Sequence, residues 1–95
     1  MAAAFLARRG ARVLVGNVRS GRGEIDLIVT LEGRLVAVEV KTRVGEDPIV
    51  QLTDQKRRRM RQAAARLRPT PERIDLVTVT LGPGGATISW VRAVA

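Results

Sequence analysis

Apolar positions along this chain fall into two rhythms. Runs of branched aliphatic residues at 13–15, 25–31, 35–40, 74–81 and 87–91 have the length and content of β-strands. Met60, Ala63, Ala64 and Leu67 instead recur at helical spacing and form one apolar stripe. Punctuation residues set the boundaries. Gly10 ends a short helix over residues 2–9, and a strand at 12–18 follows. Ser20-Gly21-Arg22-Gly23 turns the chain into strands at 24–31 and 34–42, and residues 44–50, with Gly45 and Pro48, make a loop. Thr53 is the expected N-cap of a helix, with Asp54 suited to the dipole of its first turn. That helix runs to about Arg68, before Pro69. Strands at 74–81 and 87–91 flank the turn at Gly82-Pro83-Gly84-Gly85. Helix, three strands, helix, two strands predicts an α/β (α+β) domain over residues 1–95, with a mixed sheet and helices packed against it.

Two of these strands break their own pattern with charge. Gly23-Glu24-Ile25-Asp26-Leu27-Ile28 and Val38-Glu39-Val40-Lys41-Thr42-Arg43 place carboxylates where a central strand should be apolar. Glu32-Gly33 between them looks like a two-residue hairpin turn. If Leu31 faces Arg34, Asp26 lies opposite Glu39 and Glu24 opposite Lys41. Directly opposed side chains share a face at about 5 Å. Two carboxylates that close repel by roughly 3 kcal/mol at an effective dielectric near 20. A divalent cation between them reverses the sign. Asp26 and Glu39 are therefore the candidate ligands, with the Val40 carbonyl as a third oxygen and Glu24 as a further ligand through water or a partner of Lys41. Lys41, one alternation along, would orient a water or stabilise developing negative charge. The competing reading is a surface hairpin with cross-strand ion pairs. The apolar residues on both faces of residues 35–40 argue against it.

Composition narrows the chemistry. The chain has no histidine and no cysteine, so imidazole bases, thiol nucleophiles, disulfides and zinc–thiolate sites are excluded for these residues. Oxygen ligands favour Mg²⁺ or Mn²⁺. The net charge is +8, and fifteen of the seventeen basic residues are arginine. That balance points to a polyanion, and arginine grips phosphate bidentately. Arg19, Arg22 and Arg43 flank the carboxylates, and Lys56 and Arg57 open the basic run of the second helix. With Phe5 and Trp90 the only aromatics, base stacking gives way to recognition of backbone charge and shape. Asp75 reads as structural, either a strand-end turn residue or a partner of Arg73 or another arginine. No apolar run approaches a membrane span, and residues 1–6 are too short for a secretory core, which predicts a cytoplasmic protein.

The two charged motifs, the Lys56-Arg57-Arg58 helix and Arg73-Ile74-Asp75-Leu76-Val77 together resemble the YraN family of small bacterial proteins. That family is similar to the PD-(D/E)xK nucleases of restriction-endonuclease-like fold, above all the archaeal Holliday-junction resolvases. The resemblance covers nearly the whole chain. It implies an αβββαβ core with a final strand added, Asp26 and Glu39 as metal ligands, and Lys41 as the catalytic lysine. It also implies Mg²⁺- or Mn²⁺-dependent hydrolysis of phosphodiesters in branched or structured DNA, for which a homodimer would suit a two-strand cut. The family's first helix usually carries a Glu ahead of an Ala-Ala-x-x-Leu stretch. Ala3-Ala4-Phe5-Leu6 matches that stretch without the Glu, a first helix cut short, which bears on turnover more than on fold. The alternative is a nucleic-acid-binding protein that keeps the nuclease fold without catalysis. A ribosome-associated basic protein ranks last, because it leaves Asp26 beside Glu39 unexplained.

Overall fold

The computed structural model describes residues 1–45 and 52–95. The chain runs α1 (Ala2–Arg8), β1 (Arg12–Ser20), β2 (Gly23–Leu31), β3 (Arg34–Val44), α2 (Asp54–Ala65), β4 (Arg73–Gly82) and β5 (Gly85–Val91). The five strands form one sheet in the order β1-β2-β3-β4-β5. Every neighbouring pair is antiparallel except β3 and β4, which run parallel. A parallel pair needs a crossover, and α2 lies within it. The result is the expected α+β architecture with a mixed sheet. Of the expected loop at 44–50, Val44 ends β3 and residues 46–50 lie outside the described residues.

The helices cover opposite faces. Leu6 on α1 packs into a core of Val29, Val36, Val38, Val77 and Val79, with Ala2 and Phe5 against it. Ala64 on α2 packs with Ile25, Ile28, Ala37 and Ile74, joined by Met60, Ala63 and Leu67. The helical stripe read from sequence is thus the buried stripe. Thr53 caps α2 as expected, its hydroxyl accepting the Lys56 amide at 3.2 Å.

Helix α2 stops at Ala65, short of the expected Arg68. The Arg66 and Leu67 amides bond back to Ala63 and Ala64, three residues earlier, which tightens the last turn. The Arg68 guanidinium then takes the carbonyls of Ala65 and Leu67, so the helix end is closed by a side chain rather than extended. Several strands run a residue or two beyond the sequence reading, β3 as far as Val44.

The β2–β3 bend is the two-residue hairpin expected. Glu32 and Gly33 have φ of 52° and 77°, the double left-handed geometry of a type I′ turn. Leu31 pairs with Arg34, and the register continues through Leu27 opposite Val38.

Candidate metal centre

The ladder between β2 and β3 ends at Leu27–Val38, one pair before Asp26 and Glu39. The expected direct pairings of Asp26 with Glu39 and of Glu24 with Lys41 therefore do not form. The reason lies in β2 itself. Ile25 and Ile28 are three apart yet both enter the core on the α2 side. Strict alternation would put them on opposite faces. The strand breaks step across Asp26 and Leu27, leaves β3, and continues along β1 through Val18–Ile25 and Arg19–Glu24. Asn17, directly across from this irregularity, has φ of 55°.

The parting of the strands builds the site. In a hairpin closed by Leu31–Arg34, alternate β3 residues direct their N–H and C=O toward β2. Val40 is one of them, and past the end of the ladder its amide donates to Asp26 Oδ2 at 2.7 Å. The Asp26 carboxylate thus takes the place of a backbone acceptor. The Val40 carbonyl points toward the same gap, beyond the last paired position.

Glu39 meets Asp26 here. The two carboxyl groups share a hydrogen bond, and the Glu39 pKa is pushed up to about 7. Burial is the largest cause, followed by the bond to Asp26 and the Asp26 charge. Lys41 opposes the shift with its own charge, and the negative charge of Glu24 adds to it least. The expected closeness of Asp26 and Glu39 is present, although side-by-side pairing does not produce it. Leu35 and Ala37 face α2, so alternation carries Glu39 and Lys41 to that side of β3. Asp26 also lines a cavity of about 450 Å³ on the α1 side, with Asn17, Val40 and Thr42.

Glu24 does not complete a ligand cage. Among the described residues, no three acidic side chains come together around one point. Glu24 is exposed and stands across from Arg19 on β1. Its charge acts on Glu39 from the rim. The donors that fit a hard cation are the two carboxylates of Asp26 and Glu39 and the Val40 carbonyl. Two half-buried carboxyl groups held together, with no cation among the described residues ion-paired to either, make the arrangement that a divalent ion relieves.

The basic residues divide. Arg19 and Arg22 lie at the β1–β2 turn, and Arg43 lies near the end of β3. Antiparallel pairing brings all three to the end of the sheet that carries the carboxylates. Lys56 and Arg57 sit on the exposed first turns of α2, where Arg57 reaches Asp54 at 4.0 Å. Asp75 is structural, as expected. It is fully buried and accepts from Arg73 Nε and Nη2, Trp90 Nε1 and the Ala93 amide. The partnership with Trp90 and Ala93 has no sequence signal. Arg59 and Arg66, which join Arg22 in a cleft described below, had one that sequence reasoning missed: with Gln62 they fall on one helical face.

A parted β2–β3 ladder carrying paired carboxylates and a lysine, on a mixed sheet between two helices, defines an α+β protein with a candidate oxygen-ligand site. Residues 1–79 match the family described as "Uncharacterised protein family UPF0102". A UPF0102 protein of Roseiflexus castenholzii is 45% identical over 86% of this chain and 74% of its own length. One from Symbiobacterium thermophilum is 46% identical, covering 88% of this chain and 79% of that protein. A third, from Streptomyces coelicolor, is 40% identical across 100% of the chain and 82% of that protein. The chain belongs to the UPF0102 family, the YraN family that its motifs resemble.

Proposed function

We propose that this protein is a divalent-metal-dependent endonuclease-like enzyme that hydrolyses phosphodiester bonds in branched or structured DNA. The observation that carries the reading is the contact between Asp26 and Glu39 in the gap between two strands, with Lys41 close enough to act on Glu39. Two half-buried acids forced together, with no arginine among the described residues to neutralise them, are costly as structure and useful as a ligand set.

Asp26, Glu39 and the Val40 carbonyl would hold Mg²⁺ or Mn²⁺. The ion supplies neutralisation of phosphate charge and activation of a water. Asp26 is held in place by the Val40 amide, so its carboxylate does not depend on the ion for its orientation. Glu39 must shed its proton to serve as a ligand, which ties metal affinity to pH. Lys41, exposed at the mouth, holds a positive charge where phosphate oxygens gain negative charge. Arg19 and Arg22 supply cations at the same end of the sheet. The resemblance to PD-(D/E)xK nucleases adds the roles of the three residues and the substrate class.

A second reading, binding of nucleic acid without cleavage, draws on one specific feature: a net charge of +8, with seventeen basic residues against nine acidic ones. One experiment separates the two. Thermal stability is followed while Mg²⁺ or Mn²⁺ is titrated, and a labelled four-way DNA junction is assayed for cleavage, with wild type and Glu39→Gln in parallel. The nuclease reading expects metal-linked stabilisation and cleavage that Glu39→Gln removes. Stabilisation that survives in Glu39→Gln would discard the site. DNA binding with no metal response would favour the second reading.

A further inference from the structure

A second cluster lies away from the carboxylates. Ser20, Arg22 and Gly23 at the β1–β2 turn, with Arg59 and Gln62 of α2 and Arg66 just past its end, line an open cleft of about 530 Å³. No residue of this lining is acidic. Among the described residues, Arg22, Arg59 and Arg66 have neither an ion-pair partner nor a side-chain hydrogen bond. Three uncompensated guanidinium groups around one depression repel each other and concentrate positive potential there.

The cleft is held together by the backbone. The Ser20 hydroxyl donates to the Ala63 carbonyl, fastening the turn to the helix between Arg59 and Arg66. Gly21 has φ of 61°, and a β-carbon there would collide with the Arg66 guanidinium, which lies directly over it. The glycine keeps the turn low enough for Arg66 to cross it. Proximity to the end of α2 favours a cation at Arg66. It does nothing for Arg59, which is nearly two helical turns earlier. Tetrahedral oxyanions suit such a fork of arginines, since each guanidinium offers two parallel donors.

We infer that this cleft binds a phosphodiester of a nucleic-acid strand, at a position removed from the bond presented to Asp26 and Glu39. The identity of the ligand rests on the nuclease reading. Geometry supports the link. The cleft lies on the α2 side of the sheet, the side to which β3 turns Glu39 and Lys41. Gly23 and Asp26 are three residues apart on β2, about 10 Å at the rise of a strand. That length is about three base-pair rises along the axis of a duplex. A strand lying along α2 would meet arginines at one point and the carboxylates at the other.

The test is fluorescence anisotropy of a labelled DNA duplex in EDTA across a range of salt, with the full chain. In the Arg59→Ala/Arg66→Ala double variant, affinity falls by about tenfold or more and the slope of log K against log salt drops by about two, one per lost phosphate contact. Arg34→Ala, at the β2–β3 bend on the opposite end of the sheet, binds as wild type. The single Arg59→Gln variant, an exposed helix position, repeats the loss at about half the slope change and guards against misfolding of the double variant. Binding within twofold of wild type in the double variant overturns the inference, as does an equal loss in Arg34→Ala, which would mean diffuse charge only. Inorganic phosphate distinguishes the source of the anion. If it raises the thermal midpoint of wild type while DNA affinity is the same in the double variant, the cleft takes a free phosphate and the nucleic-acid assignment falls. Because binding is read without metal, absence of cleavage leaves this result standing. Loss of the cleft likewise leaves metal-linked stabilisation through Asp26 and Glu39 untouched.

Discussion

The Asp26 carboxylate accepts the Val40 amide at 2.7 Å, so a side chain of β2 continues the hydrogen bonding of β3 after the backbone ladder has ended. Asp26 thus has a structural duty besides its proposed role toward the metal. Asp26→Asn keeps an oxygen acceptor for Val40 but removes the charge. It is expected to fold, with stability within about 1 kcal/mol of wild type, and to lose metal-linked stabilisation. Asp26→Ala is expected to lose both, because the half-buried amide is then orphaned at a cost of about 1–3 kcal/mol. Urea denaturation with and without Mg²⁺ measures both quantities.

Glu39 predicts an unusual dependence of stability on pH. In the folded, metal-free protein its pKa is raised from 4.5 to about 7, by burial first and Asp26 next. Below 4.5 the group is protonated in both states and favours neither. Between 4.5 and about 7 the unfolded chain releases this proton while the folded chain keeps it, so stability declines as pH rises through that window. Glu39→Gln, neutral throughout, flattens the decline. Thermal midpoints in EDTA at a series of pH values, wild type against variant, test this. Saturating Mg²⁺ is expected to reverse the trend, since the ion binds the deprotonated form.

Lys41 separates chemistry from binding. Lys41→Ala removes an exposed side chain, so stability is expected to change by less than about 0.5 kcal/mol. Cleavage of a DNA junction is expected to fall on the order of 100-fold or more if the ammonium stabilises developing charge. Single-turnover cleavage at saturating protein isolates the chemical step. An unchanged rate would remove Lys41 from the mechanism and leave it a surface cation.

Asp75 is the one buried charged side chain among the described residues. It is 0% exposed and bonded to Arg73, Trp90 and Ala93. Asp75→Ala strands the partly buried Arg73 guanidinium and two further donors, which is expected to cost about 3–5 kcal/mol. Trp90 is the only tryptophan, so its fluorescence in a denaturant titration reports the loss directly.

Much of this architecture was legible because it rests on local rules. Helical spacing of Met60, Ala63 and Ala64 named the buried face of α2, and Glu32-Gly33 supplied a turn with only one hand. From that turn the register followed as far as Leu27–Val38. It failed one pair later, because the departure of β2 toward β1 is a tertiary event. Ile25 reaches the α2 core only if the strand breaks step, and nothing in the local pattern announces that. Asp26 and Glu39 were found by their misfit to a strand, while their manner of contact was not. Glu24 was equally misplaced in pattern, yet it faces Arg19 at an exposed position. The bonds from Trp90 and Ala93 to Asp75 span fifteen and eighteen residues, beyond any periodicity.

The segment after β5 has a practical consequence. Ala93 donates to buried Asp75, Val94 donates to the Ile74 carbonyl, and Val94 and Ala95 rest against the α2-side core. Through these backbone bonds the segment secures β4, although the Ala93 side chain itself is exposed. Deleting residues 92–95 would strip Asp75 and Ile74 of one donor each and open the floor beneath α2. A dye or affinity handle is better placed at the β2–β3 bend, on the exposed Glu32 side chain, with Gly33 kept as glycine because its φ of 77° strains any other residue.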